Sequence, residues 1–169
     1  MALTSSITAY DPRWPQGYAD TAAQIAPILE PGLVEIHHVG STAVPLLAAK
    51  PELDILAIVR TSETPESWRD SLGTLGFRRG GDLSPGHRFF KRDVEGVRTH
   101  KLHLCTAGHP SITEMLGFRD HLRVNEADRL SYEDLKLRLE RENVGGIGEY
   151  LARKRPFIST ILAQIGIVR

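Results

Sequence analysis

The segment Leu53–Val59 is apolar at every position but one, and that exception, Asp54, narrows the folds open to this chain more than any other feature. A run of seven β-prone residues without polar alternation leaves no face for water, so it reads as a central strand covered on both sides. Pro51, just ahead of it, suits a strand start. Cover on both sides requires helical layers, and the rest of the chain offers them. Residues 17–29 place Tyr18, Ala22, Ile25, Ala26 and Leu29 at helical spacing and stop at Pro31-Gly32. Leu33–Val39 is β-rich and ends at Gly40-Ser41, after which residues 42–50 read as a short helix or a tight loop of helical character. Residues 63–75 form a second amphipathic pattern that leaves through Gly76-Phe77 into a strand, and residues 89–93 and 97–105 flank Glu95-Gly96 as a hairpin. Residues 111–165 are helical in three pieces, broken near residues 126–128 and 143–146. Leu135, Leu139, Ile147, Leu151, Phe157, Ile158, Ile161 and Leu162 supply their apolar faces. The opening residues 10–15 read as an extended or turn segment, because each proline disfavours helical geometry in the residue before it, with Trp14 packed on the domain. The expectation is one α/β (α+β) domain over residues 1–169, a mixed β-sheet flanked by helices with a helical C-terminal third.

Charge excludes some partners. Lys plus Arg equals Asp plus Glu at 21 each, so no global positive field draws in nucleic acid, and none is expected as a partner. The single cysteine, Cys105, permits neither an intrachain disulfide nor a thiolate cluster. The first ten residues lack the basic segment and apolar core of a signal peptide, and no apolar run approaches the roughly 20 residues of a membrane span. The expected location is cytoplasmic, with no membrane partner; the sequence sets no oligomeric state.

The chemistry concentrates at Val39-Gly40-Ser41, followed by Glu52-Leu53-Asp54-Ile55. Glycine lets a backbone approach a ligand closely, and Ser41 with the amides after it can donate hydrogen bonds to phosphate. Glu52 and Asp54, two apart on a strand, share a face. Paired carboxylates beside a phosphate cradle suit Mg²⁺, which is held by one or two carboxylates plus substrate phosphates. A strand with Glu52 at a solvated edge and Asp54 capped by backbone amides accounts for the pair equally well. His37 and His38 alternate in facing, so at most one reaches such a site. Arg88 and Lys91 on the hairpin and Lys154 near the chain end are candidate phosphate partners; solvated surface charge is the other reading of Lys91. Tyr150 and Lys154, four apart on a helix, share a face. Salt bridges on a packed helix account for Asp120, while Arg119 is a candidate to face the cleft.

The hydrophobic residue, Gly-Ser and spaced carboxylates resemble the nucleotidyltransferase signature, and the longer strings are more specific. Residues 10–14, 36–45, 47–51 and 53–56, His100 with Leu102-His103-Leu104, residues 118–123, and Tyr150 with Lys154 and residues 156–158 together resemble the GrpB family over nearly the whole chain. Membership implies the nucleotidyltransferase fold, with Gly40, Ser41, Thr42 and Lys50 among the nucleotide-binding residues and Glu52, Asp54 and His103 as catalytic and metal-holding residues. It also implies Mg²⁺ or Mn²⁺, a nucleoside triphosphate and a small-molecule acceptor; a binding module without transfer activity is the alternative. Two departures stand out. The nucleotidyltransferase pattern expects a third carboxylate on a later strand, where this chain's best equivalent is His103, and the family string after Val44-Pro45 has a glycine where this chain has Leu46. Imidazole binds Mn²⁺ or Zn²⁺ but suits Mg²⁺ poorly, so His103 is a ligand, a base, or a half-buried structural histidine.

Overall fold

The computed structural model describes residues 5–61 and 63–167. The elements run α1 (Trp14–Leu29), β1 (Leu33–Val39), a 3₁₀ turn (Ser41–Ala43), β2 (Leu53–Val59), α2 (Glu66–Thr74), β3 (Arg78–Arg79), β4 (His87–Val94), β5 (Val97–Thr106), α3 (Pro110–Val124), α4 (Glu126–Glu142) and α5 (Ile147–Gln164). The strands form one mixed sheet in the order β1-β2-β5-β4-β3, in which only the β2–β5 pair is parallel. The central apolar strand and the β4–β5 hairpin stand where the sequence places them. Element boundaries differ locally from the expected ones. Helix α1 starts at Trp14 because Pro15 occupies its first turn, where the missing amide costs nothing. The segment after Ser41 makes only three residues of 3₁₀ turn. Strand β4 begins at His87, two residues before the expected start.

Register assigns every strand residue to a face, because residues directly opposite one another point the same way. Val39, Asp54, Lys101 and Lys91 line up across one face, followed by His37, Leu56, His103 and Phe89. The other face carries His38, Ile55, Leu102 and Phe90. That second face is the main core: Ile55, Ala57, Val59, Phe90, Leu102 and Leu104 pack against Ile25 and Leu29 of α1 and Trp68 and Leu72 of α2. On the first face only Val39, Leu56, Ile58 and Cys105 form an apolar floor, roofed by Ile112, Met115 and Leu116 of α3. A third cluster, Val44, Leu47, Leu122 and Tyr132 with Phe118, Leu135, Phe157 and Ile158, ties α3, α4 and α5 to the loop after β1. Ile147 and Leu151, expected in the helical core, are instead 36% and 53% exposed, because their stretch of α5 lies over a cavity rather than over the sheet. At the far edge β3 is two residues long, both exposed arginines. Among the described residues no helix is long and apolar enough to cross a membrane.

Candidate active site

Three backbone facts build the site. Strand β1 ends beside the start of β2, with Val39 opposite Asp54. The chain then turns at Gly40, whose φ of 72° lies in the left-handed region that glycine enters without penalty. A Cβ built there would stand 2.4 Å from Asp54 Oδ2, so only glycine lets this backbone pass so close to the carboxylate. Thr42, buried in the turn, donates to the Glu52 carbonyl at 3.3 Å and meets His38 Nε2 at 3.0 Å, which pins the turn to the base of β2.

The two carboxylates differ in setting. Glu52 accepts from Ser5 Oγ at 2.8 Å and takes the Lys101 ammonium at 2.6 Å. Asp54 Oδ1 lies 3.7 Å from the same ammonium and 3.8 Å from His103 Nε2. Burial alone would raise the Asp54 carboxyl, but the charge of Lys101, with His103 and Lys154, outweighs it and holds Asp54 down at about 2. His103 is oriented from behind, its Nδ1 bonded to His87 Nε2 at 2.9 Å, which leaves Nε2 toward Asp54.

Around this centre lies an excess of cations. A recess of about 70 Å³ beside Ser41 and Glu52 is lined by Lys50, Lys101, Lys136 and Lys154. The Lys50 ammonium is buried without a hydrogen-bond partner; Glu140 Oε1 is 4.0 Å away and the Tyr150 ring centre 5.0 Å. Lys154 lies 4.6 Å over the same ring, and burial first, then Lys101, lowers its ammonium to about 8. Lys136, bonded to the Ala48 carbonyl and 5.0 Å over Tyr132, is lowered to about 7, mainly by burial. The recess adjoins a larger cavity of about 500 Å³, to which Gly40, Asp54, His103, Phe118, Arg119 and Leu151 contribute.

Of the residues singled out from sequence, Gly40, Ser41, Thr42, Lys50, Glu52, Asp54, His103, Arg119, Tyr150 and Lys154 border one of these two spaces. Arg119 spends its guanidinium on the His38 carbonyl at 2.8 Å and on Asp120 at 2.7 Å. Arg88 does not face the cleft: it lies on the opposite sheet face, buried, and donates to the Thr61 carbonyl at 3.0 Å. Arg88 and Lys91 are an odd number of residues apart on one strand, so they cannot both reach the site. Lys91 shares the site's face but lines neither space. His37 bonds Glu35 at 2.6 Å and His38 stacks on Tyr18, so neither imidazole joins the carboxylates. Sequence reasoning does not single out Lys101, Lys136 or Tyr132. Lys101 is legible by alternation, two residues before His103 on one strand; Lys136 and Tyr132 sit on a polar helix whose pattern gives no sign that they are buried.

A divalent cation fits this donor set only incompletely. Asp54 is ionised and His103 turns a free-edged nitrogen toward it, a mixed oxygen and nitrogen pair that suits Mn²⁺ better than Mg²⁺. Glu52, by contrast, is engaged by Lys101 and Ser5. Among the described residues, the trio of His, Cys, Asp or Glu whose ligand atoms come within 4.8 Å of one another is not this one but His87, Cys105 and His109.

The chain matches the family described as GrpB protein over residues 4–164. It is 33% identical to a UPF0157 protein of Streptomyces coelicolor, across 99% of this chain and 88% of that protein. It is 30% identical to UPF0157 protein YqkA of Bacillus subtilis, across 91% of this chain but only 45% of YqkA. The crystal structure of the conserved protein GrpB from Enterococcus faecalis aligns with a TM-score of 0.84 at 30% identity, over 95% of this chain and 99% of that one. The Cid1 poly(U) polymerase, crystallised as a mutant bound to MgATP, aligns with a TM-score of 0.57 at 12% identity, over 87% of this chain and 50% of that one. At that identity the likeness shows a nucleotidyltransferase-like fold and nothing of activity. With sheet order, turn and family match in agreement, this chain belongs to the GrpB protein family.

Proposed function

We propose that the cleft binds a nucleoside triphosphate together with a divalent cation and transfers its nucleotidyl group to a small acceptor. The observation that carries this reading is the charge arrangement: Lys50, buried and without a hydrogen-bond partner, shares a recess with Lys101, Lys136 and Lys154 against Glu52 and Asp54. Four lysines facing two carboxylates, even with Lys136 only partly protonated at neutral pH, leave a positive balance for a multiply charged anion. The turn at Gly40-Ser41 brings a backbone amide and a hydroxyl to the same place, and the larger cavity, at about 500 Å³, has the volume for a nucleoside. Asp54 and His103 would hold the cation. Bound there, it would neutralise phosphate charge as pyrophosphate leaves. Lys101 and Lys154 would hold the triphosphate, and Tyr150, stacked under Lys154, would keep that ammonium aimed at it. RNA does not enter this reading, because the chain carries no net positive charge.

A second reading, binding without transfer, is favoured by one observation: the Lys101 ammonium contacts both carboxylates, where a shared cation would otherwise sit. Melting curves with each of the four triphosphates and Mg²⁺ or Mn²⁺ test what the two readings share, since a native-state ligand raises the melting point. No shift with any pairing sinks both readings. Given a shift, mass spectrometry of labelled ATP with pooled small acceptors separates them: a nucleotidylated product supports transfer, and intact ATP supports a binder.

A further inference from the structure

His87 and Cys105 are directly opposed on β4 and β5, and His109 caps the helix that follows, so three elements bring one thiol and two imidazoles together. Their ligand atoms all lie within 4.8 Å of one another. The trio lies behind the cleft and touches it only where His87 orients His103. We propose that His87, Cys105 and His109 form a second metal site, for a thiophilic divalent cation of the zinc type.

The donor set is the first reason. One thiolate with two imidazoles, and a fourth position left for water or another donor, is chemistry that selects zinc over magnesium or calcium. The second reason is the shell around the rings. His109 Nε2 meets Ser84 Oγ at 3.0 Å and His87 Nε2 meets His103 Nδ1 at 2.9 Å, so each ring has one nitrogen already oriented by a neighbour. The other two nitrogens converge on Ser111: His87 Nδ1 lies 3.2 Å from its hydroxyl, and His109 Nδ1 accepts its amide at 3.1 Å. Binding exchanges these two contacts with one residue for a shared cation. As the sulfur–metal bond forms, the Cys105 thiol proton leaves to solvent. Access is open, because His87 and Ser111 border a cavity of about 660 Å³ that also touches Ser84 and Glu114.

The test uses the full chain, stripped with chelator and titrated with Co²⁺ as a spectroscopic stand-in for Zn²⁺. One equivalent should bind, with an intense thiolate-to-cobalt charge-transfer band, and Zn²⁺ should displace it. Cys105→Ala should abolish the band. His109→Asn, which keeps a side-chain acceptor for the helix cap, should weaken binding at least tenfold with the fold intact by circular dichroism. Asp54→Asn should leave the band unchanged, which separates this site from the candidate active site. Cobalt binding without the charge-transfer band, or unchanged affinity in His109→Asn, overturns the proposal.

Discussion

The two faces of the sheet are made by alternate residues of the same strands, yet they obey different rules. On the α1–α2 side, Ile55, Ala57, Leu102, Leu104 and Phe90 are almost fully buried and touch one another. Their neighbours Asp54, Lys101 and His103 face the other way into a cleft, where a small charged cluster is set among apolar walls such as Val39, Met115 and Phe118. Stability is therefore concentrated on one face and ligand chemistry on the other, one residue apart. Mutating adjacent positions should separate the two properties.

The largest effect expected is at Ile55, where truncation to Ala should cost about 2–5 kcal/mol, read as a lowered urea midpoint, while the folded fraction keeps its triphosphate affinity. Asp54→Asn should do the reverse. It should lose metal-dependent binding and cost on the order of 2 kcal/mol at neutral pH, because Lys101 is left with Glu52 alone and His103 and Lys154 lose a nearby carboxylate. The sign of that cost is checkable. The folded carboxyl sits at about 2, below the ordinary aspartate value of 3.8, so its contribution is fully present above 3.8 and lost as pH falls through about 2. The stability gap between wild type and Asp54→Asn should narrow over that window and close below it, and a gap that persists at about pH 1 would mean the residue supports the fold in some other way.

Gly40→Ala comes next. The positive φ costs a side chain about 1–2 kcal/mol, and the added Cβ would meet Asp54 Oδ2 at 2.4 Å. We expect a lowered melting point together with loss of triphosphate binding, whereas affinity equal to wild type would detach the turn from the site.

Lys154 gives a smaller, pH-linked signal. With its ammonium lowered to about 8, affinity for a polyanion should fall as pH rises through that value, and binding at pH 8 should take up roughly half a proton. Calorimetry in two buffers of different ionisation enthalpy measures this directly. Buffer-independent heats, or the same uptake in Lys154→Met, would place the anion elsewhere.

Leu46 belongs to neither face and serves as the control. It is 72% exposed with φ 68°, so Leu46→Gly should raise stability by no more than about 1 kcal/mol, because relief of the left-handed strain is partly offset by the greater freedom of the unfolded chain. A change in ligand affinity in this variant would mean that the loop communicates with the cleft.

Much of this division is legible in the residues. Strand β2 matches its apolar run residue for residue, and the C-terminal helices break at residues 143–146 as expected and at Asn125, just ahead of the expected break at residues 126–128. Gly40, Ser41 and Asp54 come together as their spacing implies. What sequence does not yield is which way a side chain turns when two registers are open. The strand containing Arg88 and Lys91 has charges on both parities, so only pairing with β5 shows that Arg88 faces the core. Ile147 and Leu151 carry core-like side chains on a helix face that borders a cavity, and hydrophobicity alone cannot tell a packed wall from an open one. Lys136 is hidden for the opposite reason: a charged residue on a polar helix is buried only because the Ala48 carbonyl and the Tyr132 ring receive it.

The shortness of β3 has a consequence for how this molecule meets its neighbours in a crowded solution. An outer strand normally offers a ladder of unpaired amides and carbonyls on which a passing chain can dock and propagate. Here that ladder is two residues long, both are arginines, and Arg78 and Arg79 reach out to Asp93 and Asp82 across and along the edge. An incoming strand would find too few rungs to register against, so growth of the sheet stops at this edge.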